Sequence, residues 1–369
     1  MADILYLDHA ATSPLRPEAR EAFLNASEMG GNASSVHSLG RKAKLVLEDA
    51  RNDILSAVNA IGIGGLVFTS GGTEANALAL HQAAVYDYTL ISAGEHDSIY
   101  GAVSGAGIVP LQTTGEVDLT ALESLLDHEG RPFVSLMLAN NETGVINDVA
   151  RVAALVHAKG GWLHVDAVQA LGKIAINFAD LGADSLSLSA HKIGGGQGVG
   201  ALIYNRDHRL KALITGSGQE LGLRAGTENI AGIAAFAAAL KACHGASDDL
   251  CSAQNSVEAA LKALGVTILG EAAARVPGIL YIAQGDWASN LQLIHMDMAG
   301  ICVSSGSACS SGKVKSSRVV TNMGRPNLAD KVLRISSGWT TKAEDWQRFY
   351  DVWSKGYEVY LKRHAKELV

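Results

Sequence analysis

The chain has 369 residues, enough for two packed domains, with 48 % hydrophobic residues and a net charge of −7. That composition gives a sizeable core without staples, and the acidic balance argues against nucleic acid as the main partner, which would need a basic face. Four cysteines, Cys243, Cys251, Cys302 and Cys309, show no C-x-x-C spacing and are too sparse for a disulfide framework; no metal site is expected. The opening stretch MADILYLDHAATSP has no basic start and no apolar run of signal-peptide length. The most apolar stretch, Ile230 to Leu240, is too short to cross a bilayer. A cytoplasmic protein is expected.

From Leu66 to about Tyr204, short apolar runs alternate with helical patterns: GLVFTS, TLISAG, FVSLMLAN, GWLHVDAV and DSLSLSAHK, then ALIYN. Between them, Asp148 to Lys159 places Val149, Val152, Ala153 and Val156 on one helical face. Such alternation predicts an α/β domain, a mostly parallel sheet flanked by helices, with its site at the carboxyl ends of the strands. After about Gly245 the pattern becomes a helix from Leu250 to Leu264, short strands (VTILG, GILYIA, GICVSS) and a long terminal helix. In that last helix Trp346, Phe349, Tyr350, Trp353, Tyr357 and Tyr360 recur at helical spacing and are expected to pack inward. The division expected is a large domain over 13–245 and a smaller α+β domain built from 1–12 and 246–369.

Four segments carry chemistry. In Phe68 to Asn76, FTSGGTEAN, two glycines turn the chain before Thr73 opens an Ala/Leu-rich helix. Backbone N–H groups and a hydroxyl at a helix start suit a phosphate, although an ordinary N-cap by Thr73 reads equally well from this segment alone. Asp166 stands among Val165, Ala167 and Val168, where a buried carboxylate needs a cationic partner. Lys192 follows a strand and lies between His191 and a glycine run, a place suited to a buried nucleophilic amine. The nearby Gly196, Gly198 and Ala201 match a dinucleotide fingerprint, but a strand pattern follows where a helix should begin, and we discard it. Cys309, in SSGSACSSGK, has small polar neighbours and basic residues close in sequence, features of an accessible nucleophilic thiol. Cys302, Cys243 and Cys251 read instead as small buried hydrophobes.

Taken in order, YLDHAAT, GGTEAN, AGEHDS, NNETGV, HVDAVQ, SAHK, RAGTEN, SSGSACSSG and LRISSG make the chain resemble the cysteine desulfurases of the NifS/IscS type. These are fold-type I, class V aminotransferase-like enzymes that use pyridoxal phosphate. The resemblance runs essentially end to end. It implies that Lys192 carries the cofactor, Asp166 faces the pyridine nitrogen, and His96 stacks on the ring and serves as an acid/base. It places Asn141 and Gln169 near the ring's phenolic oxygen, and the phosphate among Gly72, Thr73, Ser189 and His191, joined by Thr227 from a second subunit. Arg334 resembles the clamp on the substrate carboxylate, a task for a planar bidentate donor. Asn32 and His37 match an early substrate-side loop. Ala33, Gly196-Gln197 and Trp339 stand where the family often has Pro, Pro-Lys and Arg.

The activity implied is removal of sulfur from L-cysteine, leaving L-alanine and a persulfide on Cys309 for an acceptor such as an iron–sulfur cluster scaffold. The enzyme would be a homodimer. Other readings are a related aminotransferase or selenocysteine lyase, and a non-catalytic scaffold that keeps the fold.

Overall fold

The computed structural model describes residues 4–305 and 316–364. The chain begins with a short strand, β1 (Leu5–Tyr6), and two helices, α1 (Pro17–Met29) and α2 (Ser38–Ala57). Then strands and helices alternate: β2 (Gly64–Thr69), α3 (Gly72–Leu80), β3 (Tyr88–Ser92), α4 (Asp97–Tyr100), β4 (Gly107–Val109) and α5 (Leu119–Leu125). The series continues through β5 (Pro132–Met137), α6 (Val149–Ala158), β6 (Trp162–Asp166), α7 (Phe178–Leu181), β7 (Ser185–Ser189) and β8 (Gly200–Asn205). Local rules explain the boundaries. Asp148 caps α6 through Arg151 N–H, and Val149, Val152, Ala153 and Val156 form its buried face, as the periodicity predicts.

Seven strands form one sheet in the order β2-β8-β7-β6-β5-β3-β4. Its five strands β7 to β4 pair in parallel, while β8 runs antiparallel to both β2 and β7. Every residue of β5, β6 and β7 is buried, as expected of strands covered by helices on both faces. The antiparallel β8 explains why the glycines before it are no dinucleotide loop: they belong to a return connection over 190–199 that leads straight back into the sheet.

After α8 (Ile230–Lys241) and α9 (Asp248–Ala263) come β9 (Thr267–Ile268), β10 (Ile279–Ala283), α10 (Ser289–Met298), β11 (Ile301–Cys302), α11 (Arg318–Asn322), β12 (Val332–Ser336) and α12 (Ala343–His364). Here the sheet is antiparallel, β12-β10-β9. The amino terminus packs beside it: β1 pairs in parallel with β11 as a separate two-stranded sheet, and Leu5 and Leu7 enter a core with Trp346, Phe349 and Trp353. Those three aromatics are fully buried and Tyr350, Tyr357 and Tyr360 pack beside them, so the stripe on α12 is core. Each fully buried side chain of this size contributes roughly 1.5–3 kcal/mol relative to exposure. A separate, larger core lies around the seven-stranded sheet. Among the described residues no helix is long and apolar enough to cross a membrane.

Candidate active site

The carboxyl ends of β5, β6 and β7, with the start of α3, border a cavity of about 280 Å³. Ten of the residues singled out from sequence line it: Gly72, Thr73, His96, Asn141, Asp166, Gln169, Ser189, His191, Lys192 and Arg334. The sheet supplies Asp166 and Ser189 from the last positions of neighbouring parallel strands, the place where such folds gather ligands.

Asp166 is 3 % exposed. Its Oδ2 accepts from Asn76 Nδ2 at 2.8 Å and its Oδ1 from the Val168 N–H at 3.0 Å. Asn76 Oδ1 in turn accepts from His164 Nε2 at 3.1 Å, and His164 Nδ1 meets Ser185 Oγ at 2.9 Å. Burial pulls the His164 imidazole down to about 3, so this layer is neutral. Among the described residues no Lys, Arg or His forms an ion pair with Asp166. The buried carboxylate is hydrogen-bonded yet electrostatically unmatched, which favours a cationic group in the cavity in front of it.

Lys192 follows β7 in a single helical turn closed by Gly194, whose φ of +80° suits glycine and where a Cβ would lie 2.7 Å from Pro14 O. Its amine donates to Ala10 O at 2.6 Å and Ala11 O at 2.8 Å. Burial first, and Arg334 second, lower its pKa to about 8. Gln169 Nε2 also donates to Ala10 O, at 2.8 Å, while its Oε1 accepts from Lys173 Nζ at 2.7 Å, so both ends of the amide are fixed. His191 Nδ1 meets Thr12 Oγ1 at 3.2 Å, and burial, then Lys192, lowers its pKa to about 4.

Thr73 does not cap α3. Gly71 is the N-cap and no side chain supplies the cap hydrogen bond, so the helix N–H groups and the exposed Thr73 hydroxyl face the cavity side without a local competitor. At Gly72 a Cβ would approach Val168 Cγ2 to 2.9 Å and Ser189 Cβ to 3.5 Å; glycine is what lets this helix start sit against the strand end. Ser189 Oγ is buried and has no hydrogen-bond partner.

His96 caps α4 at the cavity mouth, its Nδ1 accepting from Ser98 N–H at 3.1 Å. In the neutral ring the proton therefore sits on Nε2. Desolvation lowers this imidazole's pKa against the pull of Asp166, which raises it. Arg334, 2 % exposed on β12, donates from Nη1 to Asn141 O at 2.7 Å and from Nη2 to Asp8 Oδ1 at 3.0 Å. Its Nε is buried without a partner.

Cys309 lies outside the described residues. The residues flanking 306–315 are well placed by the fold. Ser304 bridges Arg334, and Tyr281 Oη donates to Glu142 Oε2 at 2.8 Å and lies 3.1 Å from Ser305 O. Ser317 Oγ donates to the same Glu142 oxygen. Arg318 reaches Glu95 O at 2.8 Å and Asp97 Oδ1 at 2.9 Å, on either side of His96. Both ends of that segment are thus anchored beside the cavity. Cys243, Cys251 and Cys302 are only partly buried rather than fully buried as expected, and burial raises the Cys243 and Cys302 thiols.

Three expected residues do not reach the cavity within this chain. Thr227 is exposed after a loop. Asn32 Oδ1 accepts from Ser34 N–H and His37 Nδ1 from Gly40 N–H; His37 is the N-cap of α2. Conversely, Asn76, Asp8 and the Ala10 and Ala11 carbonyls belong to the site and sequence reading passed over them. An Asn inside an Ala/Leu-rich helix was the one available signal.

A flat ring with a protonatable nitrogen and a phosphate fits this donor set. Asp166 needs a cation, the α3 start and Ser189 Oγ need an acceptor-rich group, and Lys192 presents an amine whose pKa is lowered to about 8, giving far more free base than an ordinary lysine. Residues 5–349 match the family model described as "Aminotransferase class-V". The chain belongs to the class-V aminotransferase family. Within it, the chain is similar to the cysteine desulfurases of the NifS/IscS type. It is 38 % identical to the "Cysteine desulfurase" of Cereibacter sphaeroides over 92 % of each chain, and 33 % identical to the "Cysteine desulfurase IscS" of Dictyoglomus turgidum over 94 % of this chain and 93 % of that one. The NifS-like protein of Rickettsia africae superposes with a TM-score of 0.89 at 34 % identity, over 96 % of this chain and all of that chain. The architecture is that of fold-type I enzymes.

Proposed function

We propose that this protein is a pyridoxal-phosphate-dependent cysteine desulfurase that converts L-cysteine to L-alanine and a persulfide on Cys309. The observation that carries the reading is the pairing, in one cavity, of a buried unmatched Asp166 with the depressed amine of Lys192, in a chain whose relatives bear that name. Lys192 would hold the cofactor covalently, Asp166 its ring nitrogen, and Gln169 and Asn141 its phenolic side. Gly72, Thr73, Ser189 and His191 would hold its phosphate. Bound there, pyridoxal phosphate supplies an electron sink for charge developing at the substrate Cα.

The chain's own groups do the rest. Asp166, its Oδ2 steadied by Asn76, keeps the ring nitrogen protonated. Arg334 has spent two of its five N–H groups on Asn141 and Asp8; the remainder are available to a carboxylate. Lys192 Nζ would be the base that takes the proton from Cα. The Cys309 thiolate attacks the substrate sulfur; the S–S bond forms as the Cβ–S bond breaks, Cβ gains a proton, and Cα recovers the proton held by Lys192 to give alanine. His96 Nε2 handles the proton at sulfur. Atoms balance: cysteine plus a protein thiol yields alanine plus a protein persulfide, which passes to an acceptor such as an iron–sulfur cluster scaffold. The direct test mixes purified holoenzyme with L-cysteine and a thiol. Alanine and sulfide in equal amounts are expected; amino-group transfer to a keto acid without sulfide would instead make it an aminotransferase.

The same reading assigns a homodimer in which Thr227 of the partner subunit completes the phosphate site. Support comes from Thr227 being exposed in its own chain and from the prevalence of twofold dimers. Thr227→Ala is expected to weaken cofactor binding at least about fivefold by visible titration while the dimer persists in sedimentation. A fully active monomer would contradict the assignment.

A further inference from the structure

On the far side of Lys192 lies a second cavity, of about 250 Å³, enclosed by the residues around Arg16, Lys173, the turn after α8, and residues 337–339. Its ionisable lining is Arg16, Lys173, Lys192, His9 and His244 beside the Cys243 thiol, and among the described residues no aspartate or glutamate borders it. A walled space whose basic groups are Arg16, Lys173 and the cofactor-bearing Lys192, with no carboxylate among the described residues, is unusual in a chain of net charge −7, because buried charges are ordinarily paired.

Three details show that the space is built rather than left over. Lys173 is half-buried, its amine donates to Gln169 Oε1 at 2.7 Å, and no carboxylate lies within ion-pair distance among the described residues. Ser337 is 6 % exposed, lines the cavity, and its Oγ has no hydrogen-bond partner. Gly338 allows the closest approach in the wall, since a Cβ there would strike the His9 ring at 2.1 Å. The Trp339 ring closes the outer side, under the Arg16 guanidinium at 5.4 Å, with its Nε1 donating to Pro14 O at 2.9 Å.

We propose that this second cavity is a binding site for a small oxyanion, a carboxylate or an inorganic anion, held by Lys173, Arg16 and Ser337. Burial, then Lys192 and Arg334, pull the empty-site Lys173 amine down to about 7. An anion beside it reverses that pull, so occupancy brings proton uptake at Lys173. The site is distinct from the substrate cavity, with only Lys192 common to both.

The test is calorimetric titration of the holoenzyme, whose cofactor already fills the phosphate niche, at pH 7.5. Sodium sulfate and sodium acetate serve as separate probes, with ionic strength matched by chloride. One saturable site per chain is expected for at least one probe. Its heat should change with the ionisation enthalpy of the buffer, reporting about half a proton or more taken up. Ser337→Ala should weaken binding about fivefold, Arg16→Gln about tenfold, and Lys173→Met should abolish the proton uptake. L-Alanine at saturation, seated by Arg334, should leave the probe's binding in place. No saturable heat from either probe overturns the proposal. So does unchanged affinity in Ser337→Ala and Arg16→Gln, or loss of all probe binding to L-alanine.

Discussion

Replacing Cys309 by serine is expected to lower alanine and sulfide release at least about a hundredfold while leaving cofactor binding and the visible spectral response to L-cysteine intact. The two halves of the chemistry use different parts of the fold. Lys192, Asp166 and Arg334 line the cavity, while Cys309 belongs to the segment whose ends are anchored by Tyr281, Glu142, Ser317 and Arg318. Serine keeps size and polarity but removes the soft nucleophile, and its hydroxyl does not ionise near neutral pH. A hundredfold loss is about 2.7 kcal/mol of transition-state stabilisation. In the unaltered enzyme, cysteine given without reductant should leave one extra sulfur on the peptide containing Cys309. Cys302→Ala, Cys243→Ala and Cys251→Ala should keep turnover within a few-fold. Normal turnover by Cys309→Ser, or the extra sulfur on another cysteine, removes the nucleophile from the scheme.

Lys192→Ala should cost at least about a thousandfold in turnover and abolish covalent retention of cofactor. Borohydride reduction of the native protein should fix a pyridoxyl group on the Lys192 peptide. The competing amine is Lys173, also half-buried and drawn down to about 7, so a label on Lys173 would reassign the site. The pH dependence follows from which form reacts. Only the free base attacks the cofactor's carbonyl, and a pKa lowered to about 8 makes about half of the amine reactive at pH 8. An ordinary lysine near 10.4 would offer about 0.4 %. Capture of pyridoxal phosphate by the apoprotein, followed at its visible band, should therefore accelerate with pH and level off above about pH 8. A rate still climbing at pH 10 would show that burial does not depress this amine.

Sequence reading succeeded where chemistry coincides with a strand end. Asp166 and Ser189 close apolar runs, and Lys192 follows one, so period and polarity locate them together. Thr73 misled as a cap because Gly71, at a φ of +154°, caps the helix two residues earlier and a glycine N-cap leaves no side-chain signature. Ala10 and Ala11 act through backbone carbonyls, which no side-chain pattern announces. Asp8 and Arg334 are 326 positions apart, and nothing local to either names the other. Asn76 was overlooked for a different reason: its one distinguishing feature is a buried polar group in an apolar helix, and burial is visible only once the helix is packed. Thr227, Asn32 and His37 rest on resemblance alone, since their own chain sets them elsewhere.

The amino-terminal segment is held by residues far along the chain. Its strand β1 pairs with β11, and His9, Asp8 and Ala10 meet Thr340, Arg334 and Ser336 at separations of 326 to 331 positions. By contrast, β7 and β8 pair across ten intervening residues, so the turn bearing Lys192 can form from nearby chain. Contacts of such long sequence separation are slow to close. The two carbonyls that hold the Lys192 amine therefore depend on contacts of far longer range than the turn that carries it. Any change that loosens β12 would loosen the acceptors of that amine as well.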